Sequence, residues 1–140
     1  IRTAQYKNMI CSKNLIRKLI TAYKQGNITI KTSSMDFDSW YEKRTVADGK
    51  IDFRGRTREI HNLIRGVAAP FPGAFAYVTG EKITVWEAHP FDEMIDFSGY
   101  APGQVVDIFD GKLVVRTVDG SLLIDRYECT REIRVLDILE

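Results

Sequence analysis

The chain holds few side chains able to do chemistry. Two histidines, His61 and His89, and two cysteines, Cys11 and Cys129, are its whole stock of ready bases and thiols. His61 stands among Ile60, Leu63 and Ile64, at the edge of an apolar helical stripe, where a packed structural histidine is the ordinary reading. His89 precedes Pro90 in a connecting stretch, with no carboxylate at a telling spacing. Neither cysteine has a histidine beside it, and GxSxG, HExxH, Walker and Gly-x-Gly signatures are all missing. The catalytic inventory is too thin for a complete enzyme. Lys43-Arg44-Thr45, just after Trp40-Tyr41, is more suggestive. Arg offers a planar fork to phosphate oxygens, Lys a point charge and Thr a hydroxyl. A solvated basic turn is the alternative.

The elements that must position these groups follow from periodicity. Tyr6, Met9, Ile10, Ile16, Leu19, Ile20 and Tyr23 recur at three- and four-residue steps, predicting a helix from a Thr3 cap to about Gln25. Gly26 supplies its stop. Asn27 to Lys31 reads as a short extended piece. Thr32 to Asp48 reads as a linker laid along a surface, anchored by Phe37, Trp40 and Tyr41. Asp48-Gly49 is a turn, and Ile51-Asp52-Phe53 a strand fragment. Thr57 is expected to cap a second helix carrying Ile60, Leu63, Ile64 and Val67. Pro70-Phe71-Pro72-Gly73 then makes a rigid corner in which Phe71 packs.

Beyond that corner the pattern is β. Thr79-Gly80-Glu81 lies between Ala74–Val78 and Lys82–Ala88, Asp110-Gly111 between Gln104–Phe109 and Lys112–Val118, and Asp119-Gly120 leads into Ser121–Tyr127. Asp-Gly between alternating apolar runs is a strong hairpin signal. The reading is α+β: an N-terminal linker helix and extended arm over 1–50, then an OB-like barrel of five short strands with one packed helix over 51–140.

Charge is divided unevenly. Ile1 to Gly66 carries 14 Lys/Arg against 6 Asp/Glu, a balance of +8, and Val67 to Glu140 carries 6 against 13, a balance of −7. An acidic strand-rich half is poorly suited to a polyphosphate chain, which wants a cation at each phosphate. No run approaches the roughly 18 apolar residues of a membrane span. Two distant cysteines without metal spacing read as reduced thiols in a cytoplasmic protein. An opening on Ile1 in place of Met reads as the start of a fragment.

Several segments, taken in order, resemble the C-terminal part of the 10-formyltetrahydrofolate-dependent formyltransferases, the family of methionyl-tRNA formyltransferase and the sugar N-formyltransferases. They are Lys43-Arg44-Thr45-x-x-Asp48-Gly49-x-Ile51-Asp52-Phe53, Ile60-His61-Asn62-Leu63-Ile64-Arg65 and Pro70-Phe71-Pro72-Gly73-Ala74-Phe75. Pro102-Gly103-x-Val105 and Asp119-Gly120-Ser121-Leu122-Leu123 follow. The resemblance implies a separate Rossmann-like domain that binds 10-formyltetrahydrofolate and carries the Asn, His and Asp of catalysis. His61-Asn62 is not the family's Asn-x-His, so this chain alone is expected to be silent. The Arg-Thr-x-x-Asp-Gly form resembles the sugar enzymes, although Val46 and Ala47 stand where those often have Pro and Glu. It implies Arg44 and Thr45, with Lys43, as contacts to a nucleotide-linked amino sugar. Methionyl-tRNA is the second acceptor, disfavoured by the acidic half. Support and contact between two copies are the roles left to the barrel. A non-catalytic OB-like binding module is the alternative from another class.

Overall fold

A computed structural model describes residues 2–29, 39–92 and 94–140. They form two compact units, Arg2–Arg44 and Thr45–Glu140. In the first, helix α1 runs Arg2–Lys24. It ends as the sequence implies: Gly26 sits at φ +69° and Asn27 N–H reaches back to the Ala22 carbonyl at 2.9 Å. Every described residue of the helix except Ala22 is exposed, the apolar stripe included. Of the expected linker anchors, Trp40 is 90% and Tyr41 87% exposed. Phe37 and the end of the expected extended piece lie outside the described residues.

The second unit holds helix α2 (Thr57–Val67) and strands β1 (Ala74–Val78), β2 (Glu81–Pro90), β3 (Val105–Phe109), β4 (Lys112–Arg116) and β5 (Ser121–Glu128). All pairings are antiparallel, in the order β1-β2-β5-β4-β3. Both expected tight hairpins form. Thr79 and Asp110 adopt left-handed φ of 48° and 51° beside a glycine, the backbone that a two-residue turn between right-twisted strands requires. The β2–β5 register shifts between Val85 and Ala88, a bulge at Trp86-Glu87.

The sheet's two edges are joined by the C-terminal segment. On one side, Glu140 and Tyr77 exchange backbone bonds of 2.7 Å. On the other, Leu139 N–H meets the Gly103 carbonyl at 2.8 Å, Val105 N–H the Asp137 carbonyl at 2.8 Å, and Leu136 N–H the Val105 carbonyl at 2.8 Å. Edge groups that would otherwise lie open are thereby paired, and the five strands wrap into a barrel. Closure needs a tight approach at Gly103, which has φ +85°. A Cβ there would fall 2.3 Å from the Leu139 carbonyl oxygen. Inside lie Val78, Ile83, Val85, Val105, Leu113, Val115, Leu122, Ile124 and Leu139, all at most 2% exposed. Removing this much apolar area from water is the unit's main stabilisation.

Helix α2 packs chiefly on β2 and lays Ile60 and Ile64 into the core, with Leu63 and Val67 alongside, as its period predicts. Its start differs from expectation. Thr57 is the first helical residue: Glu59 reaches back to the Arg56 N–H at 3.4 Å, and a further capping group comes from a distant turn. Asp119 accepts the Thr57 N–H at 2.8 Å and its hydroxyl at 2.8 Å. A carboxylate only accepts, so the 2.6 Å contact between the Thr57 and Thr117 hydroxyls has Thr117 as donor. Arg116 fastens that turn by binding the carbonyl oxygens of Thr117, Gly120 and Val118. At the Pro corner Phe71 is 46% exposed, so it is covered only in part.

Candidate functional site

Lys43, Arg44 and Thr45 are all exposed, and the boundary between the two units falls after Arg44. Thr45 opens a single 3-10 turn over Val46–Gly49. The Asp48 carboxylate reaches back to accept the Thr45 N–H at 2.5 Å and its hydroxyl at 3.1 Å. This is the reciprocal use of side chain and backbone that fixes a helix start. Asp48 N–H closes the turn on the Thr45 carbonyl at 3.3 Å, and Lys50 N–H on Ala47 at 3.1 Å.

The next residues are seated on the barrel. Gly49 is buried so closely that a Cβ would meet the Gly73 carbonyl oxygen at 3.0 Å. Ile51 N–H binds the Phe75 carbonyl at 2.7 Å, and the Ile51 side chain is 1% exposed. The expected strand at 51–53 is therefore one parallel bridge, Lys50 to Phe75, followed by a turn, with Ile51 and Phe53 as core plugs. Phe53 in turn lies by Gly103.

Segments far apart in sequence thus interlock. The Asp48-to-Phe53 stretch sits on Gly73-Ala74-Phe75 and beside Gly103, while Asp119 caps the helix that carries Ile60 and Ile64. A groove of about 720 Å³ remains between residues 50–54 and the C-terminal segment, rimmed by Lys50, Asp52, Arg54 and Glu140. The Asp52 carboxylate is partly engaged, accepting the Arg54 N–H at 3.0 Å. Two cations and two carboxylates give the groove a balanced rim.

The histidines are better connected than their spacing suggests. His89 Nδ1 lies 2.6 Å from Asp125 Oδ2, and Lys112 Nζ lies 3.0 Å from the other oxygen of Asp125. His89 thus lies in β2 and not in the connecting stretch expected for it, and its carboxylate partner comes from a distant strand. The cluster joins β2, β5 and β4, and it could be read only from strand register, which one sequence does not give. Among the described residues no hydroxyl or thiol hydrogen-bonds to that imidazole, and no group of three or more His, Cys, Asp or Glu could hold a metal ion. Partial burial holds His61 below the ordinary histidine pKa, and the charges of Arg65 and His89 lower it further. That environment fits a histidine at the α2–barrel seam. Asp119 is likewise depressed, first by the hydrogen bond from the Thr57 N–H.

The family model described as "Formyl transferase, C-terminal domain" matches residues 43–139. Solved structures of HypX from Aquifex aeolicus share the fold. Its complex with tetrahydrofolic acid has a TM-score of 0.62 at 18% identity, covering 83% of this chain and 20% of that one. A substituted variant of HypX has a TM-score of 0.64, again at 18% identity and with 20% of that chain covered. The chain thus spans about a fifth of the length of these HypX chains. No helix among the described residues is long and apolar enough to cross a membrane.

Proposed function

This chain belongs to the formyltransferase C-terminal domain family, and from that premise we propose that it serves as the supporting domain of a folate-dependent N-formyltransferase. The donor in this reading is 10-formyltetrahydrofolate, held by a separate catalytic domain. The acceptor is the primary amine of a nucleotide-linked amino sugar. Attack of that amine on the formyl carbon gives a tetrahedral oxyanion, whose collapse releases tetrahydrofolate and leaves the formamide. The catalytic base and oxyanion donors belong to the other domain. Arg44, with Lys43, is assigned to the acceptor's diphosphate, where a guanidinium can grip two oxygens at once.

The observation that carries the choice of acceptor is charge. From Val67 to Glu140 the barrel's sequence holds 6 Lys/Arg against 13 Asp/Glu. A tRNA backbone would meet repulsion over such a surface, whereas a nucleotide sugar brings only two phosphates and needs one local cationic grip. Thr45 is assigned to the same contact: its hydroxyl donates to Asp48 at 3.1 Å, and its oxygen keeps the capacity to accept from a ligand.

The test offers the formyltransferase bearing this chain a panel of nucleotide-linked amino sugars and methionyl-tRNA, each with 10-formyltetrahydrofolate. A formylated sugar, with acceptor KM raised about 10-fold or more by Arg44→Ala, is the expected result, the loss of a charged hydrogen bond being worth about that factor. Formyl-methionyl-tRNA as the product would overturn the sugar assignment. Transfer by the 140-residue chain alone would overturn the supporting role.

A further inference from the structure

Within the second unit, one outer face of the barrel is both apolar and acidic, and we propose that it is a docking surface for a basic amphipathic polypeptide. Strand register sets up the face. Leu113, Val115, Leu122 and Ile124 fill the interior, so alternation turns Val114 and Leu123 outward, where they pair across β4 and β5. Both are nevertheless buried, which gives the outer side an apolar layer of its own. At the end of β3, Phe109 pairs with Lys112, and its ring meets that of Phe91 at 6.1 Å between centroids. Both phenylalanines are exposed.

The backbone after Phe91 is held in place. Phe91 N–H binds the Ser121 carbonyl at 3.0 Å, and Ser121 returns its N–H and hydroxyl to the Asp92 carbonyl at 3.2 and 3.1 Å. One Asp92 carboxylate oxygen then accepts the N–H groups of Met94 and Ile95, each at 2.6 Å. Met94 is 92% exposed and Ile95 49%. Two apolar side chains thus stand in solvent on a fixed backbone, which has little entropy left to lose when a partner binds.

The charge around them has one sign. Phe91 to Asp110 contains Asp92, Glu93, Asp96, Asp107 and Asp110 and no Lys or Arg. Among the described residues, none of these aspartates is in an ion pair. The cations of β4 and the imidazole of β2 are already engaged. Lys112 is tied to Asp125, which also holds His89, and Arg116 binds the carbonyl oxygens of Thr117, Gly120 and Val118. Such a field repels nucleic acid and anionic membranes. A segment with Lys or Arg beside Leu or Met answers both halves of the surface: the aspartates steer its cations, and Phe91, Phe109, Met94 and Ile95 receive its apolar face. An ammonium or guanidinium gains further from the face of an exposed Phe ring.

The experiment is amide chemical-shift mapping and calorimetry on the 140-residue chain. The probe is a peptide of Leu-Lys-Lys-Leu repeats about 14 residues long, roughly four helical turns. Oligolysine of equal length, the same peptide with Glu in place of Lys, and spermine are the comparison probes. Saturable binding of the Leu-Lys peptide is expected, tightest at low salt, with shifts concentrated around Phe91, Met94 and Phe109. Met94→Ser with Ile95→Ser should weaken it about 10-fold. Asp107→Asn with Asp110→Asn should weaken it about 3- to 10-fold. Asn keeps an oxygen for the Ile108 N–H and tolerates the φ of 51° at Asp110, so this second pair should leave Tm unchanged. If the first pair lowers Tm, Met94→Ser alone carries the same test, since that side chain stands free.

Equal binding of oligolysine or spermine would overturn the proposal in favour of plain charge attraction. Equal binding of the Glu peptide would overturn it in favour of plain apolar adhesion. It also falls if the double variants leave binding unchanged, if the shifts centre on another face, or if the Leu-Lys peptide shows no saturable binding.

Discussion

Two glycines with the same backbone angle separate conformational strain from close packing. Gly80 and Gly103 both have φ of +85°, but a Cβ at Gly80 meets nothing within 4 Å, whereas one at Gly103 lands 2.3 Å from the Leu139 carbonyl oxygen. Replacing either with alanine brings the left-handed penalty, about 1 kcal/mol. At Gly80 that is the whole effect. At Gly103 the C-terminal segment must also move by close to 1 Å, on the order of the overlap with a normal carbon–oxygen contact. The 2.8 Å bond from Leu139 N–H to the Gly103 carbonyl is then lost or weakened, about 1 kcal/mol. Leu139, now 2% exposed, is loosened from the core, about 1.5–3 kcal/mol if fully freed. The expected loss is therefore about 3–5 kcal/mol for Gly103→Ala against about 1 kcal/mol for Gly80→Ala. Urea unfolding of the 140-residue chain, followed by tryptophan fluorescence and far-UV circular dichroism, measures both. Equal losses in the two variants would refute the claim that Gly103 is required by closure of the barrel and not by its dihedral angle.

Three further outcomes follow from the same contacts. Asp119→Ala strips the acceptor from the Thr57 N–H and hydroxyl and should cost about 1–2 kcal/mol, read as a lower urea midpoint at pH 7. Because the folded-state pKa of Asp119 is depressed, its contribution is present above the unfolded carboxylate pKa. It disappears as pH falls through the folded value, so wild type and variant should converge in acid. His61 acts in a different window: its folded pKa is lowered, so the unfolded chain binds the extra proton first and stability falls as pH drops below the usual histidine value, near 6.5. His61→Gln should flatten the urea midpoint between pH 7.5 and 5.5, and an unchanged slope would show that this histidine does not sense the fold. Arg44→Ala should leave the urea midpoint within about 0.5 kcal/mol of wild type, since its side chain is exposed and outside every ion pair among the described residues.

The site was legible only in part. Lys43-Arg44-Thr45 and Asp48-Gly49 stand out in the sequence as cations and a turn, but the chain of residue types does not say that Asp48 turns back on Thr45. A threonine followed three residues on by an aspartate is the signal that the sequence carries for that turn. His89 with Asp125 and Lys112 left no such signal, since the three residues come from three strands and meet through register. Trp40 and Tyr41 are exposed and Phe71 is half-exposed. An aromatic side chain in a linker or corner suggests an anchor, yet burial depends on whether another element offers it a surface.

Local physics by itself determined the elements. The period through Ile60, Leu63, Ile64 and Val67 gave α2, alternation gave the strands, and Thr79-Gly80 and Asp110-Gly111 gave the hairpins, because each depends on interactions within a few residues. Only the tertiary structure decided how the sheet closes, what caps α2 and what holds Asp48's turn in place. Those depend on Leu139 meeting Gly103, Asp119 meeting Thr57 and Gly49 meeting Gly73, contacts that span from 24 to 62 residues of chain. Such contacts form only once burial of the core has brought distant segments together, so their specificity belongs to the packed interior and not to any one stretch of sequence.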